Sequence, residues 1–167
     1  SPEGVARIQA RQPLRPEDLG KKKNTSYGDE ERARGMLSPE ATAALWNVAP
    51  MQWEPWSWQG GTQGLLMNLG AFAAPGFILY ATQRPVWGLK MTRWLDAPEL
   101  ADIALKARRK MKVAVSAATD WLLAHPATSA QVMVRQLFGA DDDAREDVRA
   151  ALHVLAQRGL RDALNEA

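Results

Sequence analysis

Side chains able to do chemistry are few in this chain of 167 residues, and they are scattered. Its two histidines, His125 and His153, fall in no metal-ligand spacing and read as a helix-end residue and a surface or packing residue. Without cysteine there is no thiolate nucleophile, disulfide or cysteine metal site. The GGTQG stretch at Gly60 to Gly64 lacks the lysine and the preceding strand of a phosphate loop. Asp141, Asp142 and Asp143 lack the spaced oxygens, central glycine and closing glutamate of a calcium loop. They fit helix capping and the helix dipole better. No serine with a nearby histidine and acid emerges. The chain is expected to be non-catalytic, with no cofactor and no metal.

The stretch with the most chemical character is Val86 to Trp94, VWGLKMTRW, in which Trp87 and Trp94 alternate with Lys90 and Arg93. Rings interleaved with cations stack bases and hold phosphates on single-strand surfaces. The same residues also suit lipid headgroups, with rings at the interface and cations reaching toward phosphate. The lipid reading is favoured because the stretch directly follows a long apolar run. A net charge of +2 gives little support for nucleic acid.

That run organises the rest of the chain. From Pro55 to Gln83, 29 consecutive residues lack Asp, Glu, Lys and Arg, and Leu65 to Ala81 reads LLMNLGAFAAPGFILYA. A helix from Gly64 to Thr82 would reach ~28 Å, close to the ~30 Å of a bilayer core. Trp53, Trp56 and Trp58 precede it, and Tyr80 and Trp87 mark its far end, as aromatic belts do. Pro75 should kink such a helix. Gly70, Ala73, Ala74 and Gly76 offer a low-relief packing face, and Asn68 needs a hydrogen-bond partner on a neighbouring protein. A buried helix of a soluble domain is the competing reading. The span is favoured because only Asn68 interrupts the apolar surface, where a soluble helix usually shows a polar stripe.

The expected organisation is mostly α: an extended polar arm over residues 1–47, a Trp-rich interfacial turn over 48–63 and one transmembrane helix over 64–83. An aromatic and basic interfacial segment over 84–97 and a helical C-terminal region over 98–167 complete it. The arm carries Pro2, Pro13, Pro16 and Pro39 and blocks of charge, Lys21 to Lys23 and then Asp29 to Glu31. Ser38, Pro39 and Glu40 mark a short helix. Asp96 and Pro98 open a longer one, in which Leu100, Ile103, Ala107, Met111, Val115, Ala118 and Leu122 share a face through to about Ala124. Lys106, Arg108, Arg109, Lys110 and Lys112 lie on its other side, as a solvated face or a contact for anionic lipid such as cardiolipin. His125 and Pro126 end that helix, Thr128 or Ser129 caps another that closes at Gly139, and a last helix follows the three aspartates.

The polar arm, one short kinked span, an aromatic and basic exit and a charged helical tail together resemble the single-pass accessory subunits of mitochondrial respiratory complexes. Within these, PVWGLKMTRWLDAPELADIALKARR is similar to the segment after the span of the ESSS-type subunit of the complex I membrane arm. Lys90, Met91, Trp94, Glu99 and Leu100 carry the likeness, over some thirty residues. The chain departs from that family in its long tail after Val113. Single-pass subunits of cytochrome c oxidase or ATP synthase fit the architecture nearly as well. The resemblance implies a structural role in the mitochondrial inner membrane, with other subunits and phospholipid as partners, no nucleic acid and no redox centre. A soluble helical adaptor or nucleic-acid-binding module is the alternative from a different class.

Overall fold

A computed structural model describes residues 39–52 and 69–166, which are mostly helical and include no strand. Of these, the residues up to Leu79 form one compact unit and those from Tyr80 onward a second. Residues 1–38 of the arm expected over 1–47, and the positions Trp53, Trp56, Trp58 and Asn68, lie outside the described residues.

In the first unit α1 (Pro39–Val48) begins where Ser38, Pro39 and Glu40 predict. Proline in the first turn gives up an N–H that has no intrahelical partner, and Glu40 meets the positive end of the helix dipole. After α1 and a tight turn at Pro50–Gln52, the next described element is a 3-10 turn, Gly70–Ala73, leading into α2 (Ala74–Gln83). Trp46 and Asn47 of α1 bind that entry. The Trp46 indole donates to the Ala73 carbonyl at 3.0 Å, and its ring lies 4.7 Å from that of Phe77. Asn47 Nδ2 donates to the Phe72 carbonyl at 2.7 Å, while its Oδ1 accepts from the Gly76 N–H at 2.8 Å. Asn47 thereby acts as a remote N-cap for α2, satisfying one of the donors that every helix start leaves open.

These contacts correct the expectation of one helix over residues 64–83. Gly70 takes a left-handed backbone, φ +54°, which stops a continuous α-helix there. Pro75 falls in the first turn of α2 and does not kink it. The helix holds 10 residues, roughly 15 Å and about half a bilayer core. No helix among the described residues is long and apolar enough to cross a membrane. The small-residue packing face exists, but its near neighbour is α1. A Cβ at Gly76 would stand 2.3 Å from the Trp46 ring, and Ala73 is buried, whereas Gly70 is exposed and Ala74 half-buried.

The second unit is a helical bundle of α3 (Pro85–Met91), α4 (Pro98–Lys110), α5 (Val115–Ala124), α6 (Pro126–Leu137), α7 (Asp142–Leu155) and α8 (Arg161–Glu166). Helix α4 lies at its centre, against α5, α6 and α7, and α3 packs on α5. Prolines 85, 98 and 126 each stand in the first turn of their helix. Asp141 caps α7, its side chain accepting from the N–H groups of Asp143 and Ala144. Ser129 does not cap α6. Its hydroxyl donates to the Leu122 carbonyl at 2.9 Å, and α6 starts at Pro126.

The single helix expected from Pro98 to Ala124 is two. Met111 is extended (φ −132°, ψ 101°), and a short 3-10 turn, Lys112–Ala114, redirects the chain into α5. Eleven residues of continuous helix would separate Arg108 from Thr119 by ~16 Å, yet the two side chains bond at 3.2 Å. The hairpin also changes which face is buried. Leu100 and Ala107 of α4 and Ala118 and Leu122 of α5 are buried as expected, Ile103 is half-buried, Met111 and Val115 are exposed, and Ala104, Ala114, Ala117 and Trp121 are enclosed as well. Leu105, Leu122, Met133, Val148, Leu155 and Leu160 complete the core.

Candidate functional site

The aromatic and basic segment is organised by a buried turn. After α3, Thr92 is fully enclosed, its hydroxyl donating to the Gly88 carbonyl at 2.8 Å. The Thr92 carbonyl accepts from the indole of the equally buried Trp121 at 2.9 Å. His125 Nε2 donates to the Arg93 carbonyl at 2.8 Å, which fixes the proton on that nitrogen, and its ring stacks at 4.4 Å on Trp121. Its Nδ1 lies 3.7 Å from the Asp96 carboxylate. His125 is therefore the helix-end residue expected, with the added job of holding the turn from which Arg93 and Trp94 project.

With its backbone pinned, this segment presents its side chains outward. Trp87 is 58% exposed and Trp94 45%, and Lys90 and Arg93 are exposed. Lys90 Nζ sits 5.5 Å from the centre of the Trp87 ring, a cation–π distance. The Trp94 indole donates to the Met91 carbonyl at 2.7 Å, which leaves the ring itself at the surface. The Lys112–Ala114 turn contacts α3 and adds Val113, 75% exposed, to the apolar surface there. Trp87, Trp94 and Val113 are thus exposed here beside the cations Lys90 and Arg93.

The basic face expected on the long helix is largely consumed inside the fold. Arg109 binds Asp147, which is 7% exposed, and reaches Asp143 at 3.2 Å. Lys110 bonds the same Asp143 at 3.0 Å. Arg108 donates to the Ala150 carbonyl at 2.8 Å as well as to Thr119. The last turn of α4 is thus joined to the first turns of α7, cations at a helix C-terminus meeting anions at an N-terminus. The hydrogen bonds from Lys110 and then Arg109 hold the Asp143 carboxyl below its ordinary value, and the Asp147 bond raises Arg109 above its own. No sequence spacing links these partners, which stand more than thirty positions apart.

A pH dependence follows from Asp143. Because its pKa is lower in the fold than in the unfolded chain, its contribution is complete above the ordinary carboxylate range. It is lost as pH falls through the folded value. The urea midpoint of the wild-type chain should fall as pH drops below the ordinary carboxylate range, and Asp143→Asn should flatten that acid limb. An unchanged limb in the variant would mean that other carboxylates set it.

Two cavities flank α4. One, of about 460 Å³, is polar and lies between α4, the end of α6 and the start of α7, with Asp102, Lys106, Lys110, Arg135, Gln136 and Asp143 among its walls. Arg135 donates to both Asp102 oxygens at 3.1 Å, and Gln136 Nε2 also donates to Asp102. The other, of about 360 Å³, is mainly apolar and is lined by Pro85, Ile103, Ala107 and Met111 with Lys106 and Lys110. Among the described residues no three His, Cys, Asp or Glu side chains are grouped as metal ligands. Compared with protein families, with curated proteins and with solved structures, the chain matches none of them.

Proposed function

We propose that the chain is a non-catalytic accessory component of a membrane-bound assembly and that it meets anionic phospholipid through Trp87, Lys90, Arg93 and Trp94. The observation that carries this reading is the outward presentation of both tryptophans, beside cations, from a turn whose backbone is locked by Trp121 and His125. Indole rings favour the headgroup level, and lysine and arginine near an anionic surface contribute roughly 1 kcal/mol each. The resemblance of the Pro85 to Arg109 stretch to the ESSS-type subunit supports a mitochondrial respiratory complex, the complex I membrane arm first, as the assembly.

Co-sedimentation of the full chain with vesicles tests the lipid contact. Binding should be strong to vesicles containing cardiolipin or phosphatidylglycerol and weak to pure phosphatidylcholine. The pair Trp87→Ser with Trp94→Ser should lower partitioning roughly tenfold or more. Lys90→Glu with Arg93→Glu should remove the preference for anionic vesicles and its salt dependence. Vesicle binding that ignores both pairs, with tight binding to oligothymidylate that depends on them, would replace lipid by single-stranded nucleic acid. Native electrophoresis of detergent-solubilised mitochondrial membranes, with mass spectrometry of the band that holds the chain, tests the assembly.

A further inference from the structure

The turn that carries Arg93 and Trp94 is held by a side chain of the one type that changes charge near neutral pH. A carbonyl only accepts, so the neutral His125 ring keeps its proton on Nε2 and donates to Arg93 from there at 2.8 Å. Its other nitrogen, Nδ1, then offers a lone pair to the Asp96 carboxylate 3.7 Å away. Two acceptors oppose each other in this form. The other neutral tautomer would serve Asp96 but leave the Arg93 carbonyl without its donor. Protonation satisfies both, because Nε2 keeps its bond and Nδ1 gains an N–H that faces a carboxylate. Among the described residues Asp96 has no second ion pair or side-chain hydrogen bond, and no other charged side chain bonds the ring. The charged residues nearest in sequence on the surrounding elements are Lys90 of α3, Arg93 of the turn, Glu99 of α4 and Asp120 of α5, and all are exposed.

We propose that His125 is the proton sensor of the phospholipid contact and takes up a proton as the surface meets anionic headgroups. The inference rests on the lipid reading of Trp87, Lys90, Arg93 and Trp94 and adds its regulation. Asp96 stands two residues after Trp94 and is 57% exposed. While His125 is neutral, that carboxylate is uncompensated and repels an anionic headgroup. Protonated His125 offsets it and holds both Arg93 and Asp96, so the surface binds more tightly at acid pH. The coupling is reciprocal: an anionic membrane that favours the protonated form draws a proton onto the ring when it binds. One added positive charge close to such a surface changes affinity roughly fivefold.

Co-sedimentation of the full chain with phosphatidylglycerol vesicles at two pH values, on either side of the imidazole range, tests it; the lipid phosphodiester stays ionised at both. The wild type should bind roughly fivefold more tightly on the acid side. His125→Gln keeps an amide donor for the Arg93 carbonyl but does not titrate, and its affinity should be the same at both values. His153→Gln, which changes the other histidine, should keep the wild-type ratio. A second measurement needs no change at His125. Mixing the wild-type chain with these vesicles in weakly buffered salt near neutral pH should raise the pH as protons are taken up, and His153→Gln should take up as many. Equal wild-type binding at the two pH values, or no proton uptake, would overturn the coupling and leave the lipid contact standing. A wild-type ratio retained by His125→Gln would also overturn it, because the sensor would then be another group. Absence of vesicle binding at both pH values would remove the lipid contact and the coupling together.

Discussion

Gly88→Ala is expected to destabilise the unit that begins at Tyr80 by about 3 kcal/mol, at the upper end of what overpacking costs. A Cβ built on Gly88 stands 2.2 Å from the Ala81 Cα and 2.7 Å from its Cβ. The obstacle is backbone, which cannot rotate aside as a side chain does, so α3 must move off the end of α2. The displacement would spread, because the Gly88 carbonyl accepts from the Thr92 hydroxyl and the next residue, Leu89, is buried. For a domain of this size a melting temperature lower by some 12 to 24 °C follows, at about 4–8 °C per kcal/mol. A shift of less than a few degrees would show that α3 and α2 can separate freely.

Trp121→Ala should cost about 3–5 kcal/mol, as truncations of fully buried large aromatics do. Two separable effects contribute. The ring leaves a cavity between α5 and α3, and the Thr92 carbonyl, itself buried, loses its donor. Trp121→Phe isolates the second effect, keeping most of the apolar volume while leaving the carbonyl unpaired, and about 1–3 kcal/mol is expected. Urea denaturation of the two variants measures the split. The phenylalanine variant also tests the link from fold to surface. With the turn less firmly held, Arg93 and Trp94 lose their common placement, and vesicle binding should fall although neither residue has changed. Unaltered vesicle binding in that variant would mean that the surface residues act independently of the turn.

Much of the helical architecture is legible in the sequence because local signals agree with the packing. Pro39, Pro98 and Pro126 sit in helix first turns, Asp141 caps α7, and Gly159 adopts a positive φ of 113° at the bend after it. The break at Met111 has no such signal. Lys110, Met111 and Lys112 contain neither glycine nor proline, and the apolar spacing runs on unbroken across them. What ends α4 is tertiary: Trp121 and Leu122 reach the core only if the chain turns back, and Arg108 and Arg109 find their partners on α5 and α7.

The apolar run misled for a related reason. Hydropathy does not distinguish a surface that lipid covers from one that Trp46 covers, and the capping of α2 by Asn47 joins positions 29 residues apart. The candidate surface was legible as a motif, since Trp87, Lys90, Arg93 and Trp94 fall within one stretch of eight residues. The apolar cavity beside α4 was not, because its walls come from Pro85 and from one face of α4, brought together by folding.

The joining of α4 to α7 also sets an order of events during synthesis. A nascent chain that has emerged only as far as Gly139 already contains the α4–α5 hairpin and α6, but not Asp143, Asp147 or the Ala150 carbonyl. Arg108 then keeps only Thr119, and Arg109 and Lys110 lack their carboxylates. The surfaces of α4 and α6 on which α7 packs, burying Val148, Ala151 and Leu155, are then still uncovered. The unit is therefore completed only by its last helices, whose acidic side chains close a surface that the earlier part of the chain leaves basic.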